Sequence, residues 1–137
     1  MSKGMLRGGM VGAGAWSATQ LTAWSKTRGA AITALCDRHP ERRDPLAARF
    51  GIREVYGSVD EMLQTAELDF VDVCTRPYSH VSIINQAVRC GLPILCQKPF
   101  CVTLEEAMAA ADLCRDAGVR LMVNENFRWQ TWCRTIA

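Results

Sequence analysis

Apolar runs of strand length alternate with segments whose apolar residues return at helical spacing along the whole chain, a pattern that builds a parallel sheet through crossover helices. Leu6 to Val11 predicts a first strand, which Gly8 and Gly9 weaken, and Ala15 towards Lys26 predicts a helix ending near Gly29. Ala31 to Cys36 reads as the second strand and ends on Asp37. Asp44-Pro45 reads as the N-cap and first-turn proline of a short helix carrying Leu46, Ala47 and Phe50, with Gly51 placed to stop it. Ser58-x-x-Glu61 has the form of a capping box and opens a segment with Val59, Met62 and Leu63 on its buried side. The apolar run Phe70 to Cys74 follows, with Thr75-Arg76-Pro77 as its exit loop.

Val81, Ile84 and Val88 recur at helical spacing before Gly91, and Leu92 to Cys96 fits a short strand covered on both faces. Thr103-x-x-Glu106 is a second capping box, followed by a helix whose inner stripe reads as Leu104, Ala107, Met108, Ala111 and Cys114. Val119 to Val123 supplies a sixth strand. The simplest fold is therefore α/β, an open, doubly wound parallel sheet of Rossmann type in three layers. It divides into a domain over residues 1–124 and the start of a connection over residues 125–137. In that last stretch Trp129 and Trp132 read as exposed, suited to packing against a further domain, and a new helix starts where the sequence stops; a fragment is expected.

The chain has 137 residues, enough for one domain with a sizeable core and too few for two. A net charge of +2 with scattered arginines argues against a nucleic acid or an anionic membrane as partner. Seven cysteines, an odd number without a Cys-x-x-Cys pair, mostly fall in apolar runs and point to buried thiols in a reducing, cytoplasmic setting with no metal. Lys3 and Arg7 ahead of small residues imitate a secretory signal, but Gly8, Gly9, Gly12 and Gly14 make a poor apolar helix. No apolar run reaches the roughly 18 residues of a membrane span.

Chemistry concentrates at the strand ends. In Gly12-Ala13-Gly14-Ala15-Trp16-Ser17 the first glycine permits a tight turn, the second lets backbone approach a pyrophosphate at the helix start, and Ser17 holds the position that packs the helix. Asp37, 23 residues beyond Gly14, stands where a carboxylate accepts from both adenosine ribose hydroxyls, which favours NAD over NADP. Arg38, Arg42 and Arg43 blunt that preference if one of them meets a phosphate, and are solvated surface residues otherwise. A glycine turn with an acidic loop cap is the bland alternative. Lys98, before Pro99 at the end of a later strand, places a cation beside whatever reacts there; on spacing alone a solvated lysine before a turn proline is the alternative.

Gly12-Ala-Gly-Ala-Trp-Ser17, Cys36-Asp-Arg38, Thr75-x-Pro77-x-x-His80 and Gln97-Lys-Pro99 occur in the order of the N-terminal domain of Gfo/Idh/MocA oxidoreductases, and the chain resembles that family over essentially its whole length. The resemblance implies an NAD(P)-binding half of a sugar, polyol or cyclitol dehydrogenase, with a second α/β half that forms most of the substrate pocket and the oligomer. It implies that Lys98 is the catalytic cation near the nicotinamide, that Thr75, Pro77 and His80 form the loop passing the nicotinamide ribose, and that Asn124 contacts cofactor or substrate. Ala15, Trp16, Ser17, Arg38 and Gln97 join the cofactor-binding set. His80 at a helix start reads equally as a cap. Lys98–Pro99 is expected to be cis, as it often is in the family. Three departures stand out: Gln97 replaces the usual Glu, Arg76 replaces a commonly found proline or similar residue, and Gln20 occupies a helix position where His is frequent. Competing readings are a non-catalytic dinucleotide-binding module and a methyltransferase, the latter opposed by Gln97-Lys98-Pro99.

Overall fold

The computed structural model describes residues 4–136, apart from the side chains of Trp129 and Ile136; Lys3 of the signal-like start, Ala137 and the expected exposure of Trp129 lie outside the described residues. Six strands alternate with helices: β1 (Leu6–Val11), α1 (Ser17–Trp24), β2 (Ala30–Cys36), α2 (Pro40–Phe50), β3 (Glu54–Tyr56), α3 (Val59–Thr65), β4 (Phe70–Val73), α4 (Pro77–Arg89), β5 (Ile94–Gln97), α5 (Leu104–Asp116) and β6 (Leu121–Asn124). A 3-10 turn over Asn126–Trp129 and a short α6 (Thr131–Ile136) follow. All strand pairs are parallel, in the order β3-β2-β1-β4-β5-β6, so the direction of winding reverses between β1 and β4. In such sheets the crevice at the carboxyl ends beside the reversal is where ligands bind.

The pleat divides the core. Val11, Cys36, Val73 and Cys96 face Met62 of α3, Ile84 of α4 and Cys114 of α5, while Met10 and Leu35 face Leu21 of α1 and Ala47 of α2. β1 continues through Gly8 and Gly9, and its register with β2 shifts between them. A Cβ at Gly8 would lie 2.3 Å from the Phe70 ring, and one at Gly9 2.7 Å from Leu68, so both glycines let the neighbouring side chains close on the strand.

Three expectations need correction. The helix assigned to Asp44-Pro45 begins at Pro40, after an extended His39 of the kind that precedes a proline, which leaves Pro45 inside the helix and Asp44 bonded to Arg43 instead of capping. Gly51 does end it, at φ 69°, donating to carbonyls of the last turn. The inner face of α5 carries Ala110 and Cys114, whereas Leu104 and Met108 are 71% and 59% exposed, because the helix is rotated on the sheet relative to its most apolar stripe. The third strand, Glu54–Tyr56, is a three-residue edge strand for which the apolar pattern names no segment. Both N-caps form: Ser58 accepts from the Glu61 N–H and Thr103 from the Glu106 N–H, each at 3.2 Å, while the Glu106 carboxylate accepts from the Val102 N–H.

Candidate functional site

The turn after β1 is pinned on both sides. Gly12 has φ 109°, its N–H donates to the Cys36 carbonyl at 2.7 Å, and a Cβ on it would stand 2.4 Å from the Cys74 carbonyl oxygen. Only glycine fits there. Gly14 differs: it is exposed, and a Cβ on it would meet no protein atom within 4 Å. α1 starts without a side-chain cap, and among the described residues no acceptor takes the N–H groups of Gly14, Ala15 and Trp16. Open space, unpaired N–H groups and the positive end of a helix together suit an anion that crosses the loop.

Asp37 closes the other side of this space. One carboxylate oxygen accepts from the Ala13 N–H at 2.7 Å and the other from the His39 N–H at 2.9 Å, leaving each a lone pair towards the crevice. Arg43 is a supporting residue here, not a solvated one. Its side chain is only 15% exposed, and it bonds Asp44 at 2.7 Å and reaches the Asp37 carbonyl at 3.5 Å. The bond to Asp44 holds its guanidinium pKa above the ordinary value. Arg38 is exposed and bonds the His39 ring. A cleft of ≈ 470 Å³ runs over Gly12, Gly14, Asp37, Arg38, Thr75 and Ser79. These residues fit a dinucleotide: glycine backbone for the pyrophosphate and a carboxylate for a ribose.

Thr75 and Pro77 stand at the end of β4 as expected, Pro77 as the first residue of α4. Two other expected contacts are corrected by burial. Ser17 is fully buried, its hydroxyl donating to the Gly12 carbonyl at 2.8 Å, so it packs the turn and its side chain does not reach the crevice. His80 is also fully buried, with Nδ1 2.9 Å from the Phe100 carbonyl oxygen and Nε2 3.1 Å from that of Thr75. It neither caps α4 nor faces the crevice; it ties the loop after β4 to the loop after β5.

Lys98 emerges exposed at the end of β5, the Lys98–Pro99 bond is cis, and Nζ lies 5.4 Å above the Phe127 ring. Phe127 in turn lies 6.1 Å from Trp132, which is 56% exposed. A second cleft, of ≈ 280 Å³, opens on the α1 side between Trp16, Gln20, Gln97 and Asn124. Gln97 pairs in register with Asn124 across β5 and β6. Beneath this cleft sits a group that the apolar pattern passes over: Asp72, fully buried in β4. Burial pushes its carboxyl pKa up, against hydrogen bonds from Gln20 and Trp24 that push it down. A single acidic residue inside the apolar run Phe70 to Cys74 is the signal that could have marked it.

Buried thiols surround the site without joining it. Desolvation pushes Cys36 and Cys74 up to about 11 and Cys96 up to about 12, so they stay protonated and inert. Among the described residues no cluster of His, Cys, Asp and Glu is arranged to hold a metal, and no helix is long and apolar enough to cross a membrane.

Comparison with known proteins agrees with this geometry. A family model described as "Oxidoreductase family, NAD-binding Rossmann fold" matches residues 6–125. The chain is 40% identical over 126 residues to a D-apiose dehydrogenase of Rhizobium rhizogenes, covering 92% of the chain and 36% of that protein. It is 44% identical over 124 residues to a D-apiose dehydrogenase of Paraburkholderia graminis, covering 90% of the chain and 33% of that protein. Among solved structures, an oxidoreductase from Agrobacterium radiobacter in complex with NAD+, L-tartaric acid and magnesium superposes with a TM-score of 0.92 at 38% identity, over 96% of this chain and 38% of that one. The chain thus spans about a third of the length of these relatives.

Proposed function

The chain belongs to the Gfo/Idh/MocA oxidoreductases, as their NAD-binding Rossmann domain, and we propose that in a protein of its relatives' full length it serves a dehydrogenase that acts on a hydroxyl of a sugar or polyol. D-apiose is the first substrate to test, since two relatives at 40% and 44% identity are D-apiose dehydrogenases. When bound, NAD supplies the hydride acceptor. The chain's own residues do the rest. On the turn that Gly12 permits, Gly14, Ala15 and Trp16 hold the pyrophosphate with backbone N–H groups, and Asp37 takes the adenosine ribose hydroxyls, with Arg38 flanking the adenine end. Thr75 and Pro77 line the path towards the nicotinamide ribose, and Gln97 and Asn124 bound the crevice at its far side. Lys98 offers an ammonium to the oxygen on which negative charge develops as the hydroxyl loses its proton, a stabilisation larger in the transition state than in the ground state.

The observation that carries this reading is the Asp37 carboxylate, fixed by the Ala13 N–H at 2.7 Å and lining one cleft with the open face of Gly14. A carboxylate there repels a 2′-phosphate. Titration calorimetry on the chain should give tighter binding of NAD than of NADP, and Asp37→Ala should weaken NAD by about 1–3 kcal/mol, the scale of hydrogen bonds to a charged group. Tighter binding of NADP by the unmodified chain overturns the assignment.

A further inference from the structure

Asp72 occupies the middle of the sheet, paired in register with Met10 of β1 and Leu95 of β5, and on its face of β4 it is the polar residue in an apolar row. The side chains that bond it are both donors from α1. Trp24 Nε1 donates to Oδ2 at 2.6 Å, and Gln20 Nε2 donates to Oδ2 at 3.0 Å and to Oδ1 at 3.2 Å. An indole N–H only donates, and the carboxylate here only accepts. Gln20 must therefore turn its amide NH2 towards Asp72 and its carbonyl oxygen away.

That oxygen accepts from Gln97 Nε2 at 3.1 Å, which in turn directs Gln97 Oε1 to the backbone N–H of Lys98, 2.9 Å away. The chain of bonds has an acceptor at one end and a backbone donor at the other. Each of the two amides between them then has only one orientation that satisfies both neighbours. A carboxylate at position 97 would face the Gln20 oxygen with another acceptor, so the two amides suit each other.

We infer that Asp72, Gln20 and Gln97 form a one-way hydrogen-bond chain that positions the backbone of Lys98, with Asp72 as its buried anchor and the two glutamines as positioning residues. Gln97 is 8% exposed and Asp72 fully buried, so water competes poorly for these bonds. The inference concerns where Lys98 is held; its consequence for turnover rests on the role proposed for Lys98 above.

The test is amide NMR on the 137-residue chain without cofactor, which does not depend on what the chain binds. The Lys98 amide should be shifted downfield and protected from exchange. Gln20→Met keeps the bulk on α1 but breaks the chain, and should move the Lys98 amide upfield and speed its exchange about tenfold or more, with the Gln97 side-chain NH2 shifting as well. Asp72→Leu should do the same where it folds, since a leucine accepts from neither Trp24 nor Gln20. Trp24→Phe, which removes a donor to Asp72 outside the chain, should leave Lys98 unchanged while perturbing the same helix and core. Equal effects of Gln20→Met and Trp24→Phe at Lys98, or none from Gln20→Met, overturn the inference; a preference for NADP in calorimetry would overturn the functional reading alone.

Discussion

Gly12 and Gly14 look alike in the sequence, and the structure separates what constrains them. Gly12 is fixed by the protein itself, through a positive φ and the Cys74 carbonyl; Gly14 has neither restraint, and a role for its bare backbone in ligand binding can be tested apart from stability. Gly12→Ala should therefore cost stability, about 1–2 kcal/mol for the left-handed backbone and about 1–3 kcal/mol more for the close contact, read as a lower midpoint in urea. Gly14→Ala should leave that midpoint within about 0.5 kcal/mol of the parent and still lower NAD affinity about tenfold or more by calorimetry. Retained affinity in Gly14→Ala would mean that the pyrophosphate does not cross this loop. The turn is legible from spacing, but the distinction depends on Cys74, which is distant in sequence and adjacent in the sheet. Ser17 and His80 are misread for the same reason: residue type and position suggest contact with a ligand, and burial turns both into ties within the protein.

Elements are legible where their signals are local. Capping boxes span one helical turn, so Ser58 and Thr103 mark α3 and α5 correctly, and Gly51 marks the end of α2. What fails is whatever depends on the partner surface. The buried stripe of α5 follows the sheet and α4, not the most apolar row, and the edge strand β3 is too short to show a period. The start of α2 is misplaced because Pro40 and Pro45 both fit a first turn, and only the former follows the extended His39. Thr103→Ala tests the local account. Its hydroxyl accepts the Glu106 N–H, and the Glu106 carboxylate accepts the Val102 N–H at 3.1 Å, so loss of the cap should destabilise by about 1 kcal/mol in urea denaturation, with the slope unchanged. An unchanged midpoint would show that α5 is held by packing of Ala110 and Cys114 alone.

At the scale of the whole molecule the sheet does the assembling: residues far apart in sequence, Gly12, Asp37, Thr75, Lys98 and Asn124, stand along one edge because each follows or ends a parallel strand there. That much of the site can be read from alternating strands and helices; the buried bonds from Asp72 to Lys98 cannot, since nothing in the spacing of Gln20 and Gln97 says that α1 leans over β4 and β5. The same assembly bears on turnover by these residues alone. Oxidation of a hydroxyl needs a base for its proton as well as a hydride acceptor. The chain has two histidines. His80 is buried between two carbonyl oxygens, and His39 sits beyond β2 with its ring 3.1 Å from Glu41, at the Asp37 end of the crevice. Asp72 is buried under donors, and Lys98 is placed as a cation over Phe127. The 137 residues alone should therefore bind NAD yet produce no NADH with D-apiose or an inositol, followed by the absorbance of the reduced nicotinamide. Sustained NADH formation by this chain, abolished by Lys98→Ala, would show instead that a base within it reaches the substrate.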